Sequence, residues 1–524
     1  MNQPLIIPPS RLIRALGPFT AMAVVVGTII GSGIFKKPQE IAEALPYSGL
    51  AAGVWVLGGV LAFLGALALA EVAVLYPQAG GNYVYLREGY GRLAGFLWGW
   101  VEFWIIRGAA LAALATVFTE SLHDVLRNSY FQRALALDLG PEPLSFWAQR
   151  GLTVTVILTL AAVNVRGVRW GGGLQLFITV VKMASLLGIA LLPFGLALWL
   201  TGNADTPQPH TRYLQPVWPS LHGFVLAGFG TALLAVLWSY HGWMSIVPLA
   251  EEVKHPQRNL PLALLGGTLV VIVLYLAVNL AYFLVIPQQE MQTLTDTTVA
   301  TVFSERLLGP IGAAVASAAV MISVFGALNG NILIGPRVLY AMGEDHLAPK
   351  VLGAVHVRYH TPALAILVMA GWASILVLAA AALIRYRLPT LPLGSWTLDV
   401  NVPYGKSLFN ILTNFAMFGA IAFETLAVAS IYIFRWRWPD VQRPYRCPGY
   451  PWVPAIFILV SLFVLVNMFV EQRTEALAGV AFVVGGAVIY ALWYRDSAPP
   501  DPGARTAESP AVSAGAHAGK DEPS

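Results

Sequence analysis

Long apolar runs dominate the chain and set the elements to expect. A helix needs about 20 mostly apolar residues to cross a membrane core. We find twelve runs of this kind, each with few ionisable groups, and number them spans 1 to 12. They cover residues 15–35, 49–76, 93–121, 147–165, 172–200, 221–250, 259–286, 308–340, 361–384, 408–434, 452–471 and 474–494. The pattern predicts an all-α integral membrane protein with twelve transmembrane helices.

The polar stretches between the spans predict the orientation. Most Lys and Arg residues fall on one side of the predicted membrane, and loops rich in these residues face the cytoplasm. Both termini are therefore expected in the cytoplasm of a cell (plasma) membrane protein. Residues 1–14 form a short N-terminal segment, whereas 496–524 are rich in Pro, Ala, Ser and Gly and predict a disordered tail.

Composition agrees with a membrane protein and excludes several other classes. Of 524 residues, 57% are hydrophobic and 11% are charged, where soluble domains carry about 25% charged residues. A formal charge of +4 reflects loop orientation, so no nucleic-acid partner is expected, whereas membrane lipid surrounds the spans. The single cysteine, Cys447, excludes an intrachain disulfide and a cysteine-based metal cluster.

Motifs for other chemistries are missing from the sequence. There is no Gly-x-x-x-x-Gly-Lys-Ser/Thr loop for nucleotide phosphates and no His-Glu-x-x-His metal motif. Gly31-Ser32-Gly33 lacks the strand context of a nucleophile elbow. We therefore expect no enzyme activity, no metal and no cofactor.

Two spans are interrupted by polar or flexible residues. In span 1, Gly31, Ser32 and Gly33 lie inside the apolar run, and each glycine costs a helix interior about 1 kcal/mol relative to alanine. Close helix packing through Gly27 and Gly31 is the alternative interpretation. Span 6 carries a similar interruption at 238–243, which favours local unwinding in both spans.

The interruptions lie five spans apart, which predicts two repeats. Because five is odd, the second repeat (221–434) is expected to be inverted relative to the first (15–200), with spans 11 and 12 (452–494) added. Inverted repeats with broken helices are typical of secondary transporters. Unwound segments expose backbone N–H and C=O groups, and the two ends of a zwitterion match them. The sequence thus predicts an amino acid as the small-molecule substrate.

Ionisable residues inside the spans are candidates for function. Lys182 lies near the middle of span 5, and the alternative is a lysine that reaches the membrane surface. Glu102 and Arg107 lie five residues apart, a poor spacing for a local pair, and a bridge to neighbouring helices is favoured over substrate contact. Glu71 is expected to pair with a loop arginine. For Glu424 a structural role and a proton-coupling role both stay open.

His241 also has two interpretations. A histidine in an apolar helix is usually a hydrogen-bonded packing residue, but this one lies in the interruption of span 6 and is favoured as a pocket residue. Trp238 and Tyr240 gain interest from the same position, whereas aromatic residues elsewhere are typical of membrane interfaces.

Several segments between about residue 15 and residue 454 carry a recognisable pattern. They are 27–35, 76–90, 104–107, 164–182, 239–261, 329–342 and 445–454. These segments resemble the amino acid–polyamine–organocation (APC) permeases, in particular the bacterial branch of the L-type amino acid transporters.

The resemblance implies a LeuT-like fold that moves amino acids by alternating access. It implies a substrate carboxylate at the backbone amides of Ser32 and Gly33, and an ammonium at carbonyls near Ile29 and in 238–240. Trp238 matches a gating aromatic, and Lys182 matches a lysine that replaces sodium. The implied substrate-binding residues are Ile29, Ile30, Gly31, Ser32, Gly33, Trp238, Ser239, Tyr240, His241 and Gly242.

The resemblance also has departures. L-type members often have glycine where this chain has His241, which puts the side-chain specificity in question. There is no cysteine between spans 3 and 4, so no disulfide-linked heavy subunit is expected. Sodium-independent transport or exchange of neutral L-amino acids is the favoured function. The alternatives are a proton-coupled permease for cationic amino acids or polyamines, and a sensor or channel without transport.

Overall fold

The computed structural model describes most of the chain. The described residues are 12–134, 136, 138–140, 142–199, 209–219, 226–294, 297–386, 391–393, 396–398 and 408–495. The predicted tail (496–524), most of the N-terminal segment (1–14) and the first residues of span 6 lie outside them.

The described residues form nineteen α-helices and one short hairpin. The helices are α1 (Pro18–Ile29), α2 (Gly33–Ala44), α3 (Ser48–Leu75), α4 (Asn82–Tyr90), α5 (Arg92–Val101), α6 (Gly108–Arg127), α7 (Ser129–Ala134), α8 (Phe146–Val165), α9 (Val168–Trp199), α10 (Leu226–Tyr240), α11 (Pro256–Val285), α12 (Gln288–Gln292), α13 (Val299–Leu308), α14 (Pro310–Ile334), α15 (Pro336–Glu344), α16 (Ala363–Arg385), α17 (Leu408–Arg437), α18 (Trp452–Glu471) and α19 (Arg473–Ile489). The antiparallel hairpin pairs β1 (Leu391–Leu393) with β2 (Trp396–Leu398).

Short segments of other helical geometry complete the fold. Two π-helical segments, Glu102–Arg107 and Tyr490–Tyr494, continue α5 and α19. The 3₁₀ turns cover Thr211–Leu214, Val247–Glu252 and Lys350–Gly353.

The predicted membrane architecture is confirmed. Among the described residues, eleven helical stretches are long and apolar enough to cross a membrane, and a shorter apolar helix, Gly228–Tyr240, lies at span 6. The count of twelve spans and the inverted repeat stay predictions.

Burial distinguishes inner helices from outer ones. In the apolar windows of Pro18–Ala44 and Arg92–Arg127, 78% and 83% of the residues are buried within the protein, against 17% for Arg473–Tyr494. The helices at spans 1 and 3 therefore form the centre of the bundle, and the last helix faces outward.

The helix at span 1 is longer than its apolar run. The sequence ends this span at Phe35 because two lysines follow, but α2 continues to Ala44. Lys36 pairs with Glu120 of α6 at 3.4 Å, and Lys37, which is buried, pairs with Glu40 one turn further along α2. These ion pairs allow the helix to continue through its charged residues.

Candidate functional site

The interruption predicted in span 1 is present as a break between α1 and α2. Residues 30–32 are not helical, and all three are buried. In such a setting each exposed backbone carbonyl needs a donor from the protein.

Lys182 of α9 is the main donor to this break. Its side chain is 1% exposed, and its Nζ donates to the carbonyl of Gly27 at 2.7 Å and to that of Ile30 at 2.6 Å. In α14, a Cβ at Gly326 would approach Lys182 Cε to 2.7 Å, so only glycine leaves room for this side chain. Lys182 thus spans the end of α1 from within the bundle.

Two hydroxyl groups contact the carbonyls of Ile29, Ile30 and Gly31 at the same break. Ser323 Oγ of α14 donates to the carbonyl of Gly31 at 3.2 Å and lies 3.4 Å from that of Ile30. Tyr275 Oη of α11 donates to the carbonyl of Ile29 at 3.0 Å. Side chains from three helices therefore hold the break in one conformation.

The second interruption begins later than the sequence suggested. The helix α10 continues through Trp238 and Ser239 to Tyr240, and the non-helical stretch runs from His241 to Ile246 before a 3₁₀ turn. The N–H of His241 donates to the carbonyl of Trp238 at 3.1 Å. The carbonyl end of α10 is therefore the feature that the interruption exposes.

The two interruptions contact each other. Gly242 has φ +106°, a conformation that favours glycine, and a Cβ there would lie 3.1 Å from Thr28 Cγ2 and 3.3 Å from the N of Ile29. On the other side, a Cβ at Gly33 would approach Ser239 Cα to 2.7 Å. The glycines of each break thus allow close approach of the other helix.

This contact changes the meaning of Gly33. The sequence suggests that added bulk at Gly33 would occupy ligand space, but the structure places the backbone of Ser239 there. Gly31 has more room, because its nearest side-chain neighbours, Leu114 and Ala327, would lie 3.7 and 3.6 Å from an added Cβ.

Ser32 differs from the other residues of the break. Its side chain is 1% exposed, and its Oγ has no hydrogen-bond partner among the described residues. The following residues begin α2, whose first-turn N–H groups have no acceptor within the helix. A buried hydroxyl and a helix N-terminus therefore lie together at the point where a carboxylate is expected.

His241 lies between an aromatic ring and a carboxylate. Its ring stacks on Trp238 with centroids 6.2 Å apart, and its Nε2 lies 3.5 Å from Glu424 Oε1 of α17. His241, Tyr240, Trp243 and Glu424 line one cavity beside the second interruption. His241 therefore lies at a cavity, and its role as a substrate-pocket residue stays a prediction.

Glu102 and Arg107 form a direct ion pair, which the sequence argument disfavoured. The Nε of Arg107 lies 2.6 Å from Glu102 Oε1, and both side chains are buried. The reason is the π-helical segment Glu102–Arg107, since i→i+5 geometry brings residues five apart together. Arg107 Nη1 also donates to Asn331 of α14, which is the expected bridge to a neighbouring helix.

Ion pairs also join helices and loops on the predicted cytoplasmic side. Arg435, in the last turn of α17, holds Glu71 of α3 through two hydrogen bonds of 2.9 and 2.7 Å. Arg443, in the loop after α17, lies 3.2 Å from Glu71 Oε1, which is the predicted pair with a loop arginine. Arg87 pairs with Asp345, which also accepts a hydrogen bond from Tyr83 at 2.8 Å. Burial raises the pKa of Tyr83. Burial lowers the pKa of Arg87, but Asp345, Tyr83 and Glu88 together outweigh this effect and raise it.

A completely buried ion pair lies next to the residues that precede α1. Arg337 Nε lies 2.8 Å from Glu252 Oε1, and neither side chain is exposed. The backbone of Glu252 accepts hydrogen bonds from Ala15 and Leu16, just before α1. Among the described residues, no group of three or more His, Cys, Asp or Glu side chains could hold a metal ion.

Fold and site together define a multi-span membrane protein whose buried centre is formed by two facing helix interruptions. The family model described as amino acid permease matches residues 16–493. The chain therefore belongs to the amino acid permease family, whose members are transporters and not enzymes.

Several curated relatives are similar over most of their length. The chain is 29% identical over 483 residues to the serine/threonine exchanger SteT of Bacillus subtilis, covering 91% of this chain and 96% of that protein. It is 29% identical over 490 residues to the human cystine/glutamate transporter, with coverage of 93% and 87%. It is also 29% identical over 485 residues to the mouse b(0,+)-type amino acid transporter 1, with coverage of 92% and 88%. These relatives support amino acid transport as the activity.

Proposed function

We propose that the protein is a sodium-independent secondary transporter that moves or exchanges neutral L-amino acids by alternating access. The observation that carries this proposal is the contact of Lys182 Nζ with the carbonyls of Gly27 and Ile30. An amine at this point supplies the donors that the unwound carbonyls need, so no sodium ion is required to hold the break.

The substrate carboxylate is proposed to bind at the start of α2. The N–H groups of Ser32 and Gly33 lie at a helix N-terminus, which favours an anion. The unpartnered Oγ of Ser32 supports this placement, since a buried hydroxyl without a partner is costly.

The substrate ammonium is proposed to bind at the carbonyl ends of α1 and α10. Ile29 supplies one carbonyl, and 238–240 supply the others. The Ile29 carbonyl already accepts from Tyr275 Oη, but a carbonyl oxygen has two lone pairs and can accept a second donor.

The substrate side chain is proposed to extend towards His241, with Trp238 as the gate. Ile30, Gly31, Ser239, Tyr240 and Gly242 complete the surrounding wall. An imidazole in place of glycine removes volume, which favours small or polar neutral side chains. The similarity to a serine/threonine exchanger supports the same preference.

Membrane placement follows from the loop charges. We place the protein in the cell membrane with both termini in the cytoplasm, and we propose twelve spans with inverted repeats over 15–200 and 221–434. A disulfide-linked heavy subunit is not proposed, because the one cysteine of the sequence, Cys447, is buried.

The test is uptake by proteoliposomes loaded with a mixture of unlabelled amino acids. Labelled serine, threonine, alanine, leucine, phenylalanine, lysine and glutamate are offered one at a time. Saturable uptake of the small neutral amino acids is expected. Preferred uptake of lysine would favour the cationic permease instead. Binding without flux would favour a sensor, and unsaturable flux would favour a channel.

A further inference from the structure

A group of charged and titratable side chains lies inside the bundle, apart from the break that Lys182 holds. Glu102 and Arg107 form an ion pair of 2.6 Å in the π-helical segment. Their side chains are 1% and 5% exposed. With both groups ionised, this pair is neutral.

Glu424 adds a second carboxylate to the group. It lies on α17 and is 7% exposed. Its Oε1 lies 3.5 Å from His241 Nε2, and neither atom has a hydrogen-bond partner among the described residues. Both side chains line the cavity beside the second helix interruption. A buried carboxylate oxygen without a donor is costly unless something binds it.

The charges that surround this pair leave an imbalance. The helices and segments packed against α17 supply few titratable groups here: Glu102 and Arg107 from the π-helical segment and the Tyr240 hydroxyl from α10. The helix α3 also packs against α17, but its carboxylate Glu71 is already paired with Arg435 and Arg443. Since Glu102 and Arg107 cancel, an ionised Glu424 beside a neutral His241 leaves this group of four side chains with one net negative charge. Such a charge is expensive inside the bundle.

One proton removes this charge without any other change. A proton on Glu424 allows the carboxyl group to donate to His241, and a proton on His241 creates an ion pair with the carboxylate. Either form makes the whole group neutral. The imidazole is already next to the carboxylate, where the ammonium of a cationic substrate would have to lie, so the geometry favours a proton over a substrate side chain.

We propose that Glu424 and His241 bind one exchangeable proton, and that this proton moves with the amino acid. The pair holds the proton while the cavity is closed to water. Because His241 is the first residue of the interruption, movement of this segment during the transport cycle admits water to Glu424 and releases the proton on the other side. The inference rests on the proposed function and adds proton coupling to it.

The first experiment measures both fluxes in the same vesicles. Proteoliposomes with a pH-sensitive dye and no amino acid in the lumen, so that only net uptake is followed, receive the neutral amino acid that the uptake panel ranks first. With one proton per amino acid and the membrane potential held at zero, a gradient of about one pH unit supports about tenfold accumulation. The wild-type lumen is expected to acidify as the amino acid enters, and Glu424→Gln is expected to lose both the acidification and the response to the gradient.

A matched control exists outside the bundle. Glu142 Oε2 also lies 3.5 Å from a histidine, His123 Nε2, but the Glu142 side chain is 75% exposed. Glu142→Gln removes the same chemical group from a similar pair that water already solvates. It should keep the gradient response and the lumenal acidification of the wild type.

A second measurement does not depend on transport. Infrared difference spectra of the purified protein, taken between acidic and alkaline buffer, report the carbonyl stretch of a protonated buried carboxyl group. This band is expected in the wild type and in Glu142→Gln, and it should be missing in Glu424→Gln. If His241 holds the proton instead, the imidazole ring bands change between the two buffers and the Glu424→Gln substitution alters them. Spectra that are identical in the wild type and Glu424→Gln in both the carboxyl and the imidazole bands would overturn the proton site even if no variant transports.

The outcomes separate the two proposals. Saturable wild-type uptake without acidification overturns proton coupling and leaves the transporter in place. Uptake of lysine or arginine that Glu424→Gln abolishes, again without acidification, would show that the carboxylate binds a cationic side chain instead. No uptake under any gradient would overturn the proposed transport function itself, and the infrared band would then decide the proton site.

Discussion

Replacement of Lys182 by alanine removes the donor that joins α9 to the end of α1. In the wild type, its Nζ makes two short hydrogen bonds, to the carbonyls of Gly27 and Ile30. The side chain lies in the interior and is 1% exposed. After the substitution, Ser323 still lies 3.4 Å from the carbonyl of Ile30. The loss of the Lys182 hydrogen bond therefore affects the carbonyl of Gly27 more than that of Ile30.

The contacts give the size of the effect. A hydrogen bond with a charged partner contributes about 1.5–3 kcal/mol, so two such bonds contribute about 3–6 kcal/mol. We use the lower value, about 3 kcal/mol, because Ser323 remains. At about 1.4 kcal/mol per factor of ten, the population of the ordered break should fall about 100-fold, and the transport rate with it.

The assay is initial uptake in proteoliposomes at equal amounts of inserted protein. Lys182→Met is included because it keeps most of the side-chain volume while it removes the amine, and it should be as slow as Lys182→Ala. Ser185→Ala is the matched control, since Ser185 lies one turn further along α9 and, within the described part of the chain, its hydroxyl bonds only to the carbonyl of Val181. Wild-type rates in both Lys182 variants would refute the role assigned to the amine.

Two further substitutions and one labelling experiment test separate parts of the account. His241→Gly should let phenylalanine and tryptophan compete for uptake, because loss of the imidazole leaves space for a bulky ring beside Trp238. An unchanged competition profile would place His241 outside the pocket. Gly242→Ala should lower stability by about 1–2 kcal/mol, as for a side chain in the left-handed region, and a melting curve equal to wild type would contradict this. Burial raises the pKa of the Cys447 thiol to about 11, and Glu71 adds to the shift. Because thiolate reacts faster than thiol, maleimide should label Cys447 slowly at neutral pH and faster as the pH approaches 11. Rapid labelling at neutral pH would contradict the burial of this thiol.

The apolar pattern was sufficient for most of the fold. Span 11 was predicted at 452–471 and is α18 (Trp452–Glu471), because its ends coincide with a change from apolar to polar residues. The same rule failed at the end of span 1, where ion pairs of Lys36 and Lys37 let α2 continue. A pattern along one segment does not contain partners from another segment or from the next turn.

In the candidate site, as in the fold, features within one segment follow from the sequence, whereas contacts between segments do not. The depth of Lys182 and the glycines of the first interruption were visible in the sequence, and the structure places them together. The pair of Glu102 and Arg107 does not follow from the sequence, because residues five apart diverge in an α-helix and only the π-helical segment joins them. The approach of Gly33 to Ser239, and of His241 to Glu424, depends on how distant helices pack. No local pattern in the chain carries that information.

Exchange in the absence of sodium tests the central claim most directly. Wild-type proteoliposomes, with or without an internal neutral amino acid, are assayed for uptake of the labelled amino acid in sodium chloride and in choline chloride. The proposed role of Lys182 predicts saturable uptake at the same rate in both salts. Exchange predicts faster uptake into the vesicles that contain an internal amino acid than into the empty ones. Uptake that occurs only in sodium chloride would contradict the claim that an amine holds the break in place of a metal ion.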